Sequence, residues 1–282
     1  VELLKFNPTS PLFGLRNWIG RLIRRNHRKV LIIDEEVVFL GGVNIKAAFK
    51  TWDDLYVKLT GNLARPLLRG FAKSYISSGG KRRNVRRFLY PRLENLIPLW
   101  REKLNFIVHS PNRVSIPRRR MVFLKALDMA KETFNLLTPY YVPDRKFLRA
   151  VELAKKRGVK VNIFLPRRTD VRLAELIART YYDLTMKAGA NIYFLPNMHH
   201  GKAMSVDNNL GMIGSINMTP RSFTNREESA VSFTDVRMVD ELNALFNDLQ
   251  SKSVPLDMAR FHQRNWFDRA KEWLAKKLEY FV

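Results

Sequence analysis

The chain has 282 residues, of which 50 are Lys or Arg and 26 are Asp or Glu, giving a formal net charge of +24. It has no cysteine, which excludes disulfides and thiol catalysis, and no run of about 18 apolar residues that could form a transmembrane helix. The length suggests two domains or lobes, and the charge favours an anionic partner such as a phospholipid surface or a nucleic acid.

The first part of the chain is predicted to form short strands and one helix. Residues 1–6 are interpreted as a strand, and the aromatic, basic stretch 12–25 as either a packed loop and helix or a surface that touches lipid head groups. Two apolar runs, 30–33 and 37–40, flank an Asp-Glu-Glu turn and predict a pair of strands. Further along lie a predicted strand at 55–59, a helix at 63–75 and a flexible basic linker at 77–87.

The second part of the chain alternates between apolar runs of strand length and segments with helical periodicity. Strands are predicted near 104–109, 133–138, 159–165, 191–195, 202–206, 210–214 and 229–233. Helices are predicted near 117–131, 144–157, 170–188 and 237–250, the second of them supported by Asp144 near its start and Gly158 at its end. This alternation predicts an α/β fold with a largely mixed sheet flanked by helices.

The last segment, 260–282, has the pattern of an amphipathic helix. Its apolar stripe is Phe267, Ala270, Leu274, Leu278 and Phe281, with Trp266 and Trp273 beside it and Lys or Arg on the flanks. Two interpretations stay open: a helix lying in a membrane interface, favoured slightly by the two tryptophans, and a helix docked on the protein.

One string of residue types occurs twice, 173 positions apart. The first copy is His27, Lys29, Asp34, Gly41, Gly42 and Asn44, and the second is His200, Lys202, Asp207, Gly214, Ser215 and Asn217. In each copy the His and Lys lie at the start of a predicted strand, where side chains two positions apart point to the same face. Because a single copy could arise by chance but the extended repeat is far less probable, the two copies are interpreted as one functional device.

The duplicated pair has the groups that a metal-free phosphodiester enzyme needs. One imidazole can attack phosphorus, the other can protonate the departing alcohol, and two ammonium groups can hold charged oxygens. The adjacent pair His199 and His200 does not predict a metal site, because neighbouring side chains of a strand point to opposite faces and no carboxylate cluster has ligand spacing. No metal and no cofactor is therefore expected.

The repeated motifs resemble those of the phospholipase D superfamily, which has a pair of HxKx4D motifs each followed by G-[GS]-x-N. The stretch Asn26 to Ile45, the segment Thr138 to Asp144, the sequence Arg157 to Val161 and the pair Tyr181-Tyr182 are similar to bacterial cardiolipin synthases. The resemblance covers residues 1 to about 250 and is weakest in the linker.

The resemblance implies a role for each motif residue. It makes His27 the nucleophile and His200 the general acid, with Lys29, Lys202, Asn44, Asn217 and Ser215 around the phosphate. An acidic residue about ten positions after each Asn would orient the His of the other half. Asp54 fits in the first half, and in the second Glu228 fits best, although Glu227 keeps the repeat spacing to Asp54. Asp34 and Asp207 follow the strand turns and are expected to brace the structure.

The resemblance also implies two similar α/β lobes arranged as a pseudo-dimer. The first lobe with its linker would be 1–103, the second 104–253 and the tail 254–282. Only 26 residues precede His27, whereas 96 separate Leu104 from His200, so the first lobe is expected to lack roughly 70 residues and the chain to be a fragment.

The resemblance implies phosphatidyl transfer between two phosphatidylglycerol molecules to give cardiolipin and glycerol, with phosphatidylethanolamine as an equally compatible donor. The partner would be an anionic phospholipid membrane, and the location the cytoplasmic side of the bacterial cell membrane, bound peripherally. A nuclease of the same superfamily and a non-catalytic lipid-binding module are the alternatives. The segments that mix aromatic and basic residues favour lipid over nucleic acid.

Overall fold

The computed structural model describes residues 2–7, 25–90, 104–109 and 116–282. Their strands are, in chain order, β1 (Arg25–Asn26), β2 (Lys29–Ile33), β3 (Val37–Gly41), β4 (Tyr56–Thr60), β5 (Leu104–His109), β6 (Thr133–Leu137), β7 (Lys160–Pro166), β8 (Ala190–Leu195), β9 (Ala203–Val206), β10 (Leu210–Gly214), β11 (Arg226–Phe233) and β12 (Val254–Pro255).

The α-helices of the described residues are numbered in the same way. They are α1 (Arg65–Ser77), α2 (Arg82–Leu89), α3 (Ile116–Met129), α4 (Arg145–Lys156), α5 (Arg172–Lys187), α6 (Pro220–Thr224), α7 (Val236–Lys252), α8 (Met258–His262) and α9 (Trp266–Lys276). Short 3-10 helices occupy Ala47–Phe49, Gly61–Ala64 and Glu279–Phe281.

The strands form one large mixed sheet and one small antiparallel sheet. The large sheet has the order β1-β11-β10-β9-β6-β7-β8-β12, with β5 also paired to β11, and the small sheet has the order β2-β3-β4. Strands β6, β7 and β8 are parallel to one another, and β1 is parallel to β11. The pairs β6–β9, β9–β10, β10–β11 and β11–β5 are antiparallel. The predicted mixed α/β fold is confirmed.

Two apolar layers cover the faces of the large sheet. On one face, an apolar layer that includes Ile163 of β7 packs against α3, α4 and α5. On the other face, a layer that includes Phe164 packs against α1, α7 and the small sheet. Adjacent side chains of a strand point to opposite faces, so a strand with both faces covered is apolar throughout. All positions of β7 after Lys160 are accordingly buried.

Helix α4 shows why the local sequence folds as predicted. The side chain of Asp144 accepts a hydrogen bond from the amide of Phe147 and so caps the first turn, while Gly158 follows the last turn with φ of +88°. Phe147, Val151 and Ala154 form one buried stripe at helical spacing.

Two predictions for the first part of the chain were wrong. Residues 2–7 contain no strand, and residues 82–89, which overlap the flexible linker predicted at 77–87, form helix α2. The linker prediction weighted its glycines and charges, but Val85 is buried and gives α2 an apolar contact. Residues 12–24 of the aromatic, basic stretch lie outside the described residues, and the division into two lobes, the shortened first lobe and the separate tail stay predictions.

No helix among the described residues combines the length and apolar character needed to cross a bilayer.

Candidate active site

The two repeated motifs are joined through their backbones. Each motif histidine donates its amide to a carbonyl of the other half: His27 to Glu227 at 2.8 Å, and His200 to Asp53 at 2.6 Å. The first contact extends the parallel pairing of β1 with β11, and the second lies beside a parallel bridge between Asp53 and His199. These pairings bring residues of distant sequence position into one site.

Each histidine ring also contacts a carboxylate from the other half. The Nδ1 atom of His27 lies 3.0 Å from Oε2 of Glu228, and Nδ1 of His200 lies 2.9 Å from Oδ2 of Asp54. If Nδ1 carries the proton, each carboxylate accepts it in a hydrogen bond and Nε2 is left unprotonated. Both rings are then prepared to attack phosphorus or to accept a proton at Nε2.

Glu227 makes different contacts from its neighbour. Its carboxylate forms an ion pair with Arg28 at 3.0 Å and accepts a hydrogen bond from the hydroxyl of Ser74 at 3.2 Å. Asp54 follows Asn44 by 10 positions, whereas Glu228 follows Asn217 by 11, because the second motif is followed by helix α6 where the first is followed by a 3-10 helix. The structure therefore brings Glu228, rather than Glu227, to His27.

Burial lowers the pKa of both motif histidines. Loss of hydration lowers the pKa of His27 to about 4, although the nearby Glu228 carboxylate opposes this shift. The pKa of His200 is also lowered, first by burial and then by the positive charges of Lys202 and Lys29, while Asp54 opposes them. A lowered pKa favours the neutral imidazole at neutral pH, as a nucleophile or a general base requires.

The two motif lysines lie beside the histidines. Nζ of Lys29 donates to the carbonyl of His27 at 2.8 Å, and Nζ of Lys202 lies 2.8 and 2.9 Å from the two ring nitrogens of His200. Burial lowers the pKa of Lys29 to about 8 and that of Lys202 well below its ordinary value, with the positive charge of Lys29 contributing to the latter. The two lysine amines are shielded from water and repel each other electrostatically. A bound anion would stabilise the charged form of both.

The polar side chains of the G-[GS]-x-N segments differ in their contacts. The Ser215 hydroxyl donates to Oε2 of Glu228 and accepts from the amide of Ser229. Asn217 is fully buried, and among the described residues neither of its amide atoms has a hydrogen-bond partner. Such a group is costly to leave unsatisfied, so Asn217 is suited to bind an oxygen of a ligand. Asn44 is half-buried on the other side of the site.

Gly42 is required by the close approach of the two halves. A Cβ atom at this position would lie 2.1 Å from Oδ1 of Asp54 and 2.8 Å from the carbonyl oxygen of His200. Any larger residue would push Asp54 away from the imidazole that it holds. The glycine of the first motif therefore permits the contact between the two halves.

The two motif aspartates have different surroundings. Asp207 accepts backbone hydrogen bonds from Lys131, Glu132 and Thr133 at 2.8 to 3.0 Å and so fixes the start of β6. Asp34 is exposed, and the described residues give its carboxylate no hydrogen-bond partner. Among the described strands, β2 pairs with β3 alone, whereas β9 lies between β10 and β6. Neither aspartate is in direct contact with a motif histidine.

We expect Asp207→Asn to destabilise the fold and Asp34→Asn to leave it unchanged. Both aspartates have φ of +50°, which Asn tolerates, so the two substitutions place equal demands on the backbone. Asp207→Asn removes the charge that accepts three amides and should lower the free energy of unfolding by about 2 kcal/mol, against less than about 0.5 kcal/mol for Asp34→Asn. Urea unfolding measures both; equal losses would contradict the bracing role of Asp207.

Two aromatic side chains pack against His200, and neither was predicted as a site residue. The ring of Trp52 lies 5.7 Å from the imidazole and the ring of Tyr140 lies 6.1 Å from it, nearly perpendicular. The Tyr140 hydroxyl donates to Asp170 at 2.6 Å, which fixes the ring. Trp52 precedes Asp54 by two positions, and this closeness in sequence was the one feature that could have predicted Trp52 as a site residue.

The described residues contain no cluster of three or more His, Asp or Glu side chains suited to a metal ion. The Nδ1 atom of His199 accepts a hydrogen bond from the amide of Gly201.

Comparison with known proteins gives one family whose model matches part of the chain, and several similar relatives. Residues 123–250 match the family described as cardiolipin synthase, PLD-like domain. The chain is 30% identical over 267 residues to the minor cardiolipin synthase ClsB of Bacillus subtilis (strain 168), covering 92% of this chain and 64% of that protein. It is 29% identical over 290 residues to the cardiolipin synthase of Geobacillus thermodenitrificans (strain NG80-2), covering 99% of this chain and 56% of that protein. The chain thus spans less than two thirds of the length of these relatives.

A solved structure shows the same fold. The phosphatidylserine synthase of Haemophilus influenzae Rd KW20 superposes with a TM-score of 0.66 at 14% identity, covering 92% of this chain and 69% of that one. Residues 123–250 therefore match a cardiolipin synthase-type, phospholipase D-like domain, and the chain is similar to cardiolipin synthases over most of its length.

Proposed function

We propose that this chain transfers a phosphatidyl group between lipids through a phosphohistidine, as a cardiolipin synthase. The observation that carries the proposal is the reciprocal pair of contacts, His27 with Glu228 and His200 with Asp54. Beside them lie the half-buried Lys29, the buried Lys202 and the unsatisfied side-chain amide of Asn217. This arrangement provides two oriented imidazoles and several donors for one phosphodiester.

In the first half of the reaction, Nε2 of His27 attacks the phosphorus of a phosphatidylglycerol. The bond between phosphorus and the oxygen of the glycerol head group breaks, and His200 donates a proton to that oxygen. Free glycerol leaves and a phosphatidyl-histidine stays. Lys29, Lys202, Asn44 and Asn217 stabilise the equatorial oxygens while the negative charge is redistributed.

In the second half, His200 accepts the proton from a hydroxyl of a second phosphatidylglycerol. The hydroxyl oxygen forms a bond to phosphorus as the bond between phosphorus and Nε2 of His27 breaks, which gives cardiolipin. The substrate also explains how His200 can start the reaction protonated, because a phosphodiester anion raises the pKa of a neighbouring imidazole. Phosphatidylethanolamine would serve the first half equally well, since the attacked group is the same.

The tail supports a peripheral position on an anionic membrane. Ala275 and Val282 are buried against α5, so α9 is docked on the protein. The predicted apolar stripe nevertheless faces outward: Phe267, Leu274 and Phe281 are each more than half exposed. An exposed apolar face flanked by lysines matches the chemistry of an anionic lipid surface. We propose the cytoplasmic side of the bacterial cell membrane for this contact.

We expect the double variant Trp273→Ser, Leu274→Ser to bind anionic membranes several-fold more weakly than the natural chain. Both side chains are exposed, so the fold should tolerate the changes. Cosedimentation with vesicles containing phosphatidylglycerol, at low and high salt, measures the effect, because the electrostatic part of binding is screened by salt. Leu153→Ser, an exposed leucine of α4, is the matched control. Unchanged binding by the double variant would show that this face does not contact lipid.

The function is tested with the purified chain and mixed micelles of phosphatidylglycerol, with mass spectrometry of the lipid products. Cardiolipin and free glycerol in equal amounts, undiminished by EDTA, are the expected result. Phosphatidic acid alone would indicate a hydrolase, and cleavage of added DNA or RNA would favour the nuclease that the +24 charge also suits. Lipid binding without any product would favour a non-catalytic module.

A further inference from the structure

A cleft of about 600 Å³ opens beside His200 along the segment from Val43 to Asp54. Its inner end contains Asn44 and Asp54, two residues assigned above to phosphate support and to orientation of His200. Trp52 lines the cleft and also packs on the His200 ring. The cleft therefore reaches two residues, Trp52 and Asp54, that contact the imidazole proposed to deprotonate the acceptor hydroxyl.

The outer part of this cleft combines an apolar wall with two positive charges. Ile45 is 92% exposed, and Phe49 stacks on Trp52 with a centroid separation of 3.9 Å. Lys46 lies over the Phe49 ring, with Nζ 5.0 Å from the centroid. An exposed isoleucine beside a stacked aromatic pair is suited to contact an apolar ligand.

The two lysines of the cleft are available to an anion. Lys46 and Lys50 both line it, and within the described ranges neither forms an ion pair with a carboxylate. The one acidic residue of the lining, Asp54, is already engaged by His200 and by the amide of Leu55. The cleft therefore has a net positive charge at its rim and an apolar wall behind it.

An acceptor phosphatidylglycerol has the complementary arrangement of groups. Its reacting hydroxyl is separated from its own phosphate by the three carbons of glycerol, and the diacylglycerol lies beyond that phosphate. With the hydroxyl at His200, the phosphate lies a few ångströms further out and the apolar part further still. We propose that the 43–54 cleft binds the acceptor lipid, with Lys46 and Lys50 on its phosphate and Ile45 on its apolar part.

This inference rests on the proposed function, and it adds a distinction between two kinds of acceptor. A lipid acceptor has the second phosphate that the lysines would hold, whereas a small alcohol such as ethanol has none. Loss of the lysines should therefore reduce transfer to phosphatidylglycerol more than transfer to ethanol. The donor lipid and the phosphohistidine step are common to both reactions.

The experiment compares the natural chain with the double variant Lys46→Gln, Lys50→Gln in mixed micelles of phosphatidylglycerol containing ethanol. We expect the ratio of cardiolipin to phosphatidylethanol to fall about tenfold, the size of effect expected for weakening one charge-assisted contact. Ile45→Ser should lower the same ratio without adding or removing charge. The control Lys125→Gln, Lys146→Gln removes two exposed lysines from α3 and α4, outside the cleft, and should leave the ratio unchanged.

The outcomes separate this inference from the proposed function. A natural chain that forms neither product contradicts the proposed function itself. A natural chain that forms both, together with a double variant whose ratio is unchanged, overturns the acceptor cleft alone. A ratio that falls equally in the control pair would assign the effect to general surface charge and would also overturn it.

Discussion

Replacement of either motif histidine is expected to lower phosphatidyl transfer by about four orders of magnitude. His27→Ala removes the proposed nucleophile, and His200→Ala removes the group that moves the proton in both half-reactions. Because the two rings act in one sequence of steps, the double variant should be little slower than either single variant, as in other catalytic groups that act as a unit. The rate of cardiolipin formation in micelles measures all three variants.

Three controls accompany the histidine variants. His262→Gln changes an exposed histidine whose nearest acidic partner is Asp183, at 3.5 Å, and should leave the rate unchanged. Thermal denaturation should confirm that each variant is folded. Quenching with SDS at mildly alkaline pH, where the phosphorus–nitrogen bond survives, should trap a phosphatidylated His200→Ala chain if His27 is the nucleophile, whereas labelling only in His27→Ala would reverse the two roles. A single variant with nearly normal turnover would contradict the shared mechanism.

Much of the second part of the fold could be predicted from the sequence because its elements are determined by local patterns. Strand β7 is apolar except for Lys160 and Asn162, and helix α4 has both a capping aspartate and a terminal glycine. Apolar periodicity and capping residues are local features that identify each strand or helix separately. The alternation of strands and helices was therefore sufficient to predict a mixed α/β fold. The predicted boundaries of these elements lie within a few residues of those in the structure.

The first part of the chain was predicted less well, because its structure depends on distant residues. Strand β1 has only two residues and exists through its pairing with β11, about 200 positions later. No local pattern reports such a partner. Residues 2–7 have the apolar composition of a strand without a neighbouring strand to pair with in the described structure.

The site residues that belong to the repeated motif could be predicted from the sequence, whereas those that reach the site only through folding could not. The repeat identified His27, His200 and the lysines directly. Trp52 and Tyr140 belong to no repeated string, and their packing on His200 follows only from the folded chain. The same holds for Asp34 and Asp207, which have identical motif positions but different surroundings, since β6 contacts only the second.

The neighbouring glutamates give the sharpest test of the site, because they differ by one position and have opposite surroundings. Glu228 contacts His27, whereas Glu227 pairs with Arg28 and Ser74 on the other side of β11. We expect Glu228→Gln to reduce turnover by about two to four orders of magnitude, because an amide no longer fixes the proton on Nδ1 of His27. Glu227→Gln should reduce it less than about tenfold.

Stability and pH dependence should separate the two variants further. Glu227→Gln weakens a buried ion pair and should lower the free energy of unfolding by about 2 kcal/mol, measured by urea unfolding. Glu228→Gln removes the negative charge that raises the pKa of His27, so that pKa should fall below its value of about 4 and the acidic limb of the rate profile should move to lower pH. Equal losses of turnover in both variants would indicate that the glutamates act by holding the strand, and would remove the case for Glu228 as the residue that orients the nucleophile.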